Sequence, residues 1–129
     1  MCLFVKYTSL GNTRSGTFAE EVVVENKDLV PCPEHLTTAQ AASLPLAGLT
    51  AYRAVFTRGN VKAGSNVLIT GIGGGVALYA LQFSVAVGAN VYVTSSKQDK
   101  IEHAIKEGAK GGVNYKDRKY STVLLVEDK

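Results

Sequence analysis

The chain has 129 residues, 46% of them hydrophobic, with 14 basic against 11 acidic side chains and a net charge of +3. That length suits one domain's worth of core, and the near balance of scattered charges excludes a nucleic-acid-binding stripe. Two cysteines, Cys2 and Cys32, form neither a metal-ligand spacing nor a disulfide framework, which argues for free thiols in a reducing compartment.

Thr17 to Glu25 reads as a strand, with Phe18 and Val22-Val23-Val24 bounded by Gly16 and Asn26. Val22-Val23-Val24 has no evident sheet to join, so the stretch Thr17 to Pro33 is expected to be poorly buried. Leu29 to Pro33 is an extended connection, because two prolines block helix. Thr37 or Thr38 can cap a helix through Ala39-Gln40-Ala41-Ala42, which Pro45 interrupts. Gly48 to Arg58 has a second helical pattern (Leu49, Tyr52, Ala54, Val55, Phe56) stopped by Gly59-Asn60. Lys62 to Ser65 is a turn. Asn66 to Thr70 is a short strand apolar on both faces, as in a parallel sheet covered by helices.

The helix pattern from Val76 to Gly88 is apolar nearly all round and should be buried. Its continuation to Ala89 is the longest apolar stretch, but it holds Gln82 and Ser84 and is too short to span a bilayer. Met1 to Lys6 is too short for the apolar core of a signal peptide. The expectation is a soluble cytoplasmic protein with no membrane and no nucleic-acid partner. Ala89 to Thr94 is the second strand. Lys97 to Glu107 is an amphipathic helix with Ile101, Ala104 and Ile105 inward, ended by Gly108. Its lysines, interleaved with Asp99, Glu102 and Glu107, read as a solvated face. Gly112 to Tyr115 is a third short strand. Strand and helix alternating at this spacing imply right-handed parallel crossovers. Ser121 to Glu127, through Val123-Leu124-Leu125-Val126, is either a fourth strand or a loosely held tail.

The chemistry concentrates between the first of these parallel strands and the helix behind it. Val67-Leu68-Ile69-Thr70 stops at Gly71-Ile72-Gly73-Gly74-Gly75-Val76-Ala77, four glycines in five residues. Glycines let the backbone approach phosphate oxygens, and the free N–H groups at a helix start receive their charge. Gly71, Gly73, Gly74, Gly75 and Val76 are therefore the candidate pyrophosphate cradle. The spacing departs from the ideal fingerprint: Gly71-x-Gly73-x-x-Val76 has Val at the third glycine, and the register ending Gly74-x-x-Ala77 starts on Ile72. The alternative is a glycine-rich turn that binds nothing.

At the end of the second strand, Thr94-Ser95-Ser96-Lys97 offers no carboxylate for the ribose 2′-OH of NAD. Ser95, Ser96, Lys97 and Lys100 suit a 2′-phosphate instead, by hydrogen bonds and charge, so NADP(H) is favoured over NAD(H). No Ser/His/Asp set and no carboxylate pair is present, and Tyr52 has the spacing of a core aromatic.

Gly16-Thr17-Phe18-Ala19-Glu20, then Ala42 to Tyr52 (ASLPLAGLTAY), then the glycine block resemble the medium-chain dehydrogenases and reductases, closest to the quinone-oxidoreductase-like and zinc-type alcohol-dehydrogenase-like subgroup. The likeness covers roughly Gly16 to Asp117. It implies a partial Rossmann fold, an α/β doubly wound parallel sheet, over residues 37–129. Residues 1–36 would be a short remnant of a chaperonin-10-like β domain. The family's chains are more than twice this length, so this one reads as an internal piece. The resemblance implies hydride transfer between a nicotinamide dinucleotide and a small carbonyl or quinone substrate in the full-length parent, and it allows a homodimer.

In the quinone-reductase group a Ser or Thr, a Lys and a Tyr around the 2′-phosphate resemble Ser96, Lys100 and Tyr115. The alternatives are ordinary helix charge for Lys100 and edge packing for Tyr115. Thr50 resembles a family threonine near the nicotinamide, or is a helix-capping hydroxyl. Leu46 stands where zinc alcohol dehydrogenases place a cysteine ligand and cannot ligate. Cys32, His35 and His103 lie in other contexts, so no zinc is expected. The catalytic residues stay unassigned.

Overall fold

The computed structural model describes residues 2–3, 10–11 and 14–117. The Ser121 to Glu127 segment lies outside the described residues. The chain divides into two compact units, residues 1–46 and 47–129.

In the first unit, strand β1 (Cys2–Leu3) pairs antiparallel with β2 (Leu29–Val30). Asn26–Asp28 forms one 3₁₀ turn before β2. Arg14 ties this turn down, contacting Glu25 at 3.2 Å and the buried Asp28 at 3.5 Å. A hydrogen bond from Lys27, with Arg14 adding to it, holds the Glu25 carboxyl below its ordinary range, and the same bond raises Lys27. The expected strand from Thr17 to Glu25 is absent: the segment has no regular structure, and Phe18 and Val23 are fully exposed. Among the described residues β-propensity there finds no neighbouring strand to supply ladder hydrogen bonds. The expected extended link instead contributes the short strand β2.

Helix α1 (Thr38–Ser43) starts at Thr37, whose hydroxyl accepts from the Gln40 N–H while the Gln40 side chain accepts from the Thr37 N–H. That reciprocal capping box chooses between the two threonines. Pro45 does not stop the helix outright. A widened π-type turn, Leu44–Gly48, follows α1, consistent with the missing proline N–H.

In the second unit, helix α2 (Leu49–Tyr52) continues as a second π-type turn, Arg53–Arg58. Its end is closed by the Gly59 N–H on Ala54 O at 2.8 Å, and Asn60 takes the left-handed conformation expected of a stop. Tyr52 and Phe56 pack on Phe83, which stacks on Tyr79. These rings join that helix to α3 (Gly75–Ala86).

Strands β3 (Asn66–Ile69), β4 (Asn90–Ser95) and β5 (Gly111–Asn114) form a parallel sheet in that order, with α3 and α4 (Gln98–Lys106) as the crossovers. This is a partial Rossmann-type α/β fold, and it matches the alternation of buried strand and helix in the sequence. Val67 pairs with Val91, and Ile69 with Val93 and through it Gly112, so one face carries aligned apolar rows. Val91 and Val93 are fully buried there with Leu81 of α3 and Ile101 of α4. Each such side chain contributes roughly 1.5–3 kcal/mol by leaving water. Gly112 is required by close approach: a Cβ there would lie 2.5 Å from Ile101 and 2.7 Å from Val93.

Four burial expectations fail. Tyr52, expected as a core aromatic, is 52% exposed, because its ring packs on Phe56 and Phe83 at the rim between the two helices. Leu68, on the opposite face of β3, is 51% exposed, and Val76 and Leu78 of α3 are each 37% exposed. On the face of the sheet that Leu68 shares, Thr94 and Val113 are buried, so cover there is partial and falls short at β3. Ile105 is 45% exposed, because the inward row of α4 is Ile101 and Ala104 and the next position turns outward.

Ser84 is fully buried in α3, and its Oγ has no hydrogen-bond partner. A buried, unpaired hydroxyl costs about 1–3 kcal/mol, and Ala is also the better helix former. Ser84→Ala should therefore raise the unfolding free energy by about 1 kcal/mol, read from urea denaturation. A loss of stability would show that the hydroxyl is satisfied in solution.

Candidate functional site

The chain leaves β3 at Ile69 and enters α3 at Gly75, and the five residues between reverse its direction. Gly71 (φ +66°) and Gly73 (φ +119°) take conformations that L side chains rarely adopt. Gly74 is the extended residue before α3, with no side-chain cap and no acidic residue in the first helical turn. The N–H groups of Gly75, Val76 and Ala77 thus have no intrahelical acceptor and no competing carboxylate on the helix itself. They carry the positive end of the helix dipole.

The turn is held by the end of β4. The Ile72 N–H donates to Thr94 O at 2.9 Å, and the Gly71 N–H donates to Thr94 Oγ1 at 3.3 Å. Ile72 anchors the turn in the core at 3% exposure. Lys100, from the first turn of α4, lies across the other side: a Cβ on Gly73 would sit 2.8 Å from its Cδ and its Nζ. An ammonium group and unpaired helix amides therefore meet at one turn, a fitting environment for a phosphate. A side chain on Gly75 would come within 3.4 Å of the Ala47 Cβ, so the segment entering α2 abuts the start of α3.

The remaining candidates lie at the end of β4 and on α2. Ser95 is buried, accepts the Lys97 N–H at its Oγ (3.2 Å) and accepts the Tyr115 N–H at its carbonyl (3.0 Å). Ser95 and Tyr115 are thereby side by side, with the Tyr115 side chain 48% exposed. Ser96 follows, half-buried, before α4 begins. Thr50 is exposed on α2, three residues past Ala47. The structure thus gathers Gly71, Gly73, Gly74, Gly75, Val76 and Lys100 at the turn, and Ser95, Ser96 and Tyr115 at the neighbouring strand ends.

Two features escaped the sequence reading. One is the grip of Thr94 on the turn, for which the only signal was a hydroxyl residue closing an apolar strand. The other is a largely apolar pocket of about 590 Å³ beside β3, lined by Val55, Val67, Leu68, Val76, Thr70 and Gly74 among others. Among the described residues no group of three or more His, Cys, Asp or Glu side chains could hold a metal ion, and no helix is long and apolar enough to cross a membrane.

Over 96 residues the chain is 49% identical to the zinc-type alcohol dehydrogenase-like protein YogA of Leptosphaeria maculans, a match covering 74% of this chain and 27% of that protein. The chain belongs to the medium-chain dehydrogenase/reductase superfamily. The solved structure of an NAD-dependent alcohol dehydrogenase of this superfamily superposes with a TM-score of 0.86 at 35% identity, over 93% of this chain and 36% of the other. The quinone oxidoreductase of Thermus thermophilus, solved also in complex with NADPH, superposes with a TM-score of 0.69 at 31% identity, over 78% and 34%. No family model matches the chain. The chain spans between about a quarter and somewhat over a third of these superfamily relatives.

Gly73→Ala forces a side chain into φ +119° and into Lys100. The expected loss of stability is about 1–3 kcal/mol, measured by urea unfolding. Adding Lys100→Ala removes the crowding but not the backbone strain, so the double variant should recover only in part. Full recovery would contradict the strained turn.

Proposed function

We propose that this chain forms the dinucleotide-binding part of an NADPH-preferring, zinc-independent oxidoreductase that reduces quinones, enones or aldehydes. The observation that carries this reading is the glycine turn, with its unpaired helix amides on one side and Lys100 across Gly73 on the other. The solved complex of a related quinone oxidoreductase with NADPH supports it. In this reading residues 1–36 belong to the substrate domain and residues 37–129 to the cofactor domain.

The amides of Gly75 and Val76 take the pyrophosphate. Ser96, Lys100 and Tyr115 surround the ribose 2′-phosphate, and Ser95 shapes the floor beneath them. Thr50 faces the nicotinamide side. The bound nicotinamide supplies the hydride, and the protein's share is to orient it and to stabilise the charge on the acceptor. Leu46 replaces a ligand with a hydrocarbon, so the carbonyl is polarised without zinc. A second reading is a non-catalytic dinucleotide-binding module. Quinone- or enone-dependent oxidation of bound NADPH separates the two.

Titration calorimetry of the chain with each dinucleotide tests the proposal. NADPH should bind at least about tenfold more tightly than NADH, a difference of about 1.4 kcal/mol, and Lys100→Ala should largely abolish the difference. Equal affinities unchanged by Lys100→Ala would make these residues a solvated helix face.

A further inference from the structure

We infer that Thr94 is a positioning residue of the phosphate cradle: its hydroxyl and its carbonyl together hold Gly71 and Ile72, and so set the direction in which the α3 amides face a phosphate. The inference rests on the dinucleotide reading above. It starts from the ladder. Pairing of β3 with β4 ends at Ile69 opposite Val93, so the residues beyond Ile69 have no strand partner to fix them. Thr94 is the next residue of β4, paired on its other side with Val113 and only 7% exposed. Its carbonyl takes the Ile72 N–H (2.9 Å) and its Oγ1 takes the Gly71 N–H (3.3 Å).

Two consecutive amides of the turn are thus tied back to the sheet. Glycine backbone has a wider conformational range than that of any other residue, so an untied turn is loosely specified. An untied Gly71 amide could also compete for the anion with the amides at the start of α3. Valine would fill the same volume as Thr94 but could not accept the Gly71 N–H, so the hydroxyl is what this site adds to packing.

The test uses Thr94→Val, which keeps the shape, and Thr94→Ser, which keeps the hydroxyl. Hydrogen exchange at the Gly71 amide, followed by NMR in the free protein, reads the contact without any ligand. Exchange should quicken in Thr94→Val and return towards wild type in Thr94→Ser. Calorimetry should show NADPH and NADH both weakened in Thr94→Val by about three- to tenfold, the range of one neutral hydrogen bond. Adenosine 2′-monophosphate, which lacks the pyrophosphate, should bind as to wild type. Unchanged exchange at Gly71 in Thr94→Val, or equal weakening of the monophosphate, overturns the inference. If wild type binds neither dinucleotide, the dinucleotide reading falls, and the cradle role of Thr94 falls with it. The hold on the turn is then a separate matter that the Gly71 amide still decides.

Discussion

Strand β4 is the one member of the described parallel sheet with a hydrogen-bonded neighbour on each edge. The rest of the second unit is organised on it. Its Val91 and Val93 are fully buried and give α3 and α4 the surface they pack against. Its last residues then do local work. Thr94 takes two amides of the glycine turn, and Ser95 takes the amide of Lys97 before α4 and that of Tyr115 after β5. Removing the fixed end of this strand would leave each loop of the site without its anchor. A central parallel strand thus serves as both core and template, because ladder pairing stops where its carbonyls and hydroxyls become available to loops.

The electrostatic character of the site has the same origin. No acidic side chain occupies the first turn of α3, and Lys100 is brought over Gly73 by the helix that follows β4. Positive charge is therefore produced by backbone geometry and one lysine, with no large basic patch. This agrees with a chain whose net charge is only +3. The pocket beside β3 has a more apolar character, lined mostly by Val, Ala, Leu and Ile, with the turn residues Thr70, Gly74 and Gly75 also in its lining. A glycine turn faced by a lysine and an apolar hollow thus adjoin at the start of one helix.

Local signals were honoured unevenly along the chain. The capping box at Thr37 and the stop at Gly59-Asn60 depend on residues within a few positions of one another, and both form as their spacing requires. The run Val22-Val23-Val24 has strong β-propensity and forms no strand. A strand needs a partner edge, and that requirement cannot be met by side chains within the run. Pro45 removed one helical hydrogen bond, and the chain answered with a widened turn and not with a break.

The sequence by itself determined the order of elements in the second unit, the parallel class of the sheet and the glycine turn with its candidate residues. Those features follow from periodicity and from the conformational freedom of glycine, which are local properties. The same local reading placed Ser95, Ser96 and Lys100 after the second strand, and the family resemblance added Tyr115 at the next. Only the tertiary structure decided that Lys100 lies on Gly73, that Thr94 grips the turn and that Ile105 and Leu68 face outward. Each of these depends on which neighbour occupies the space beside a residue, and for Lys100 and Thr94 that neighbour is far away along the chain. Apolar pattern states that a face wants cover; it does not state whether cover is present.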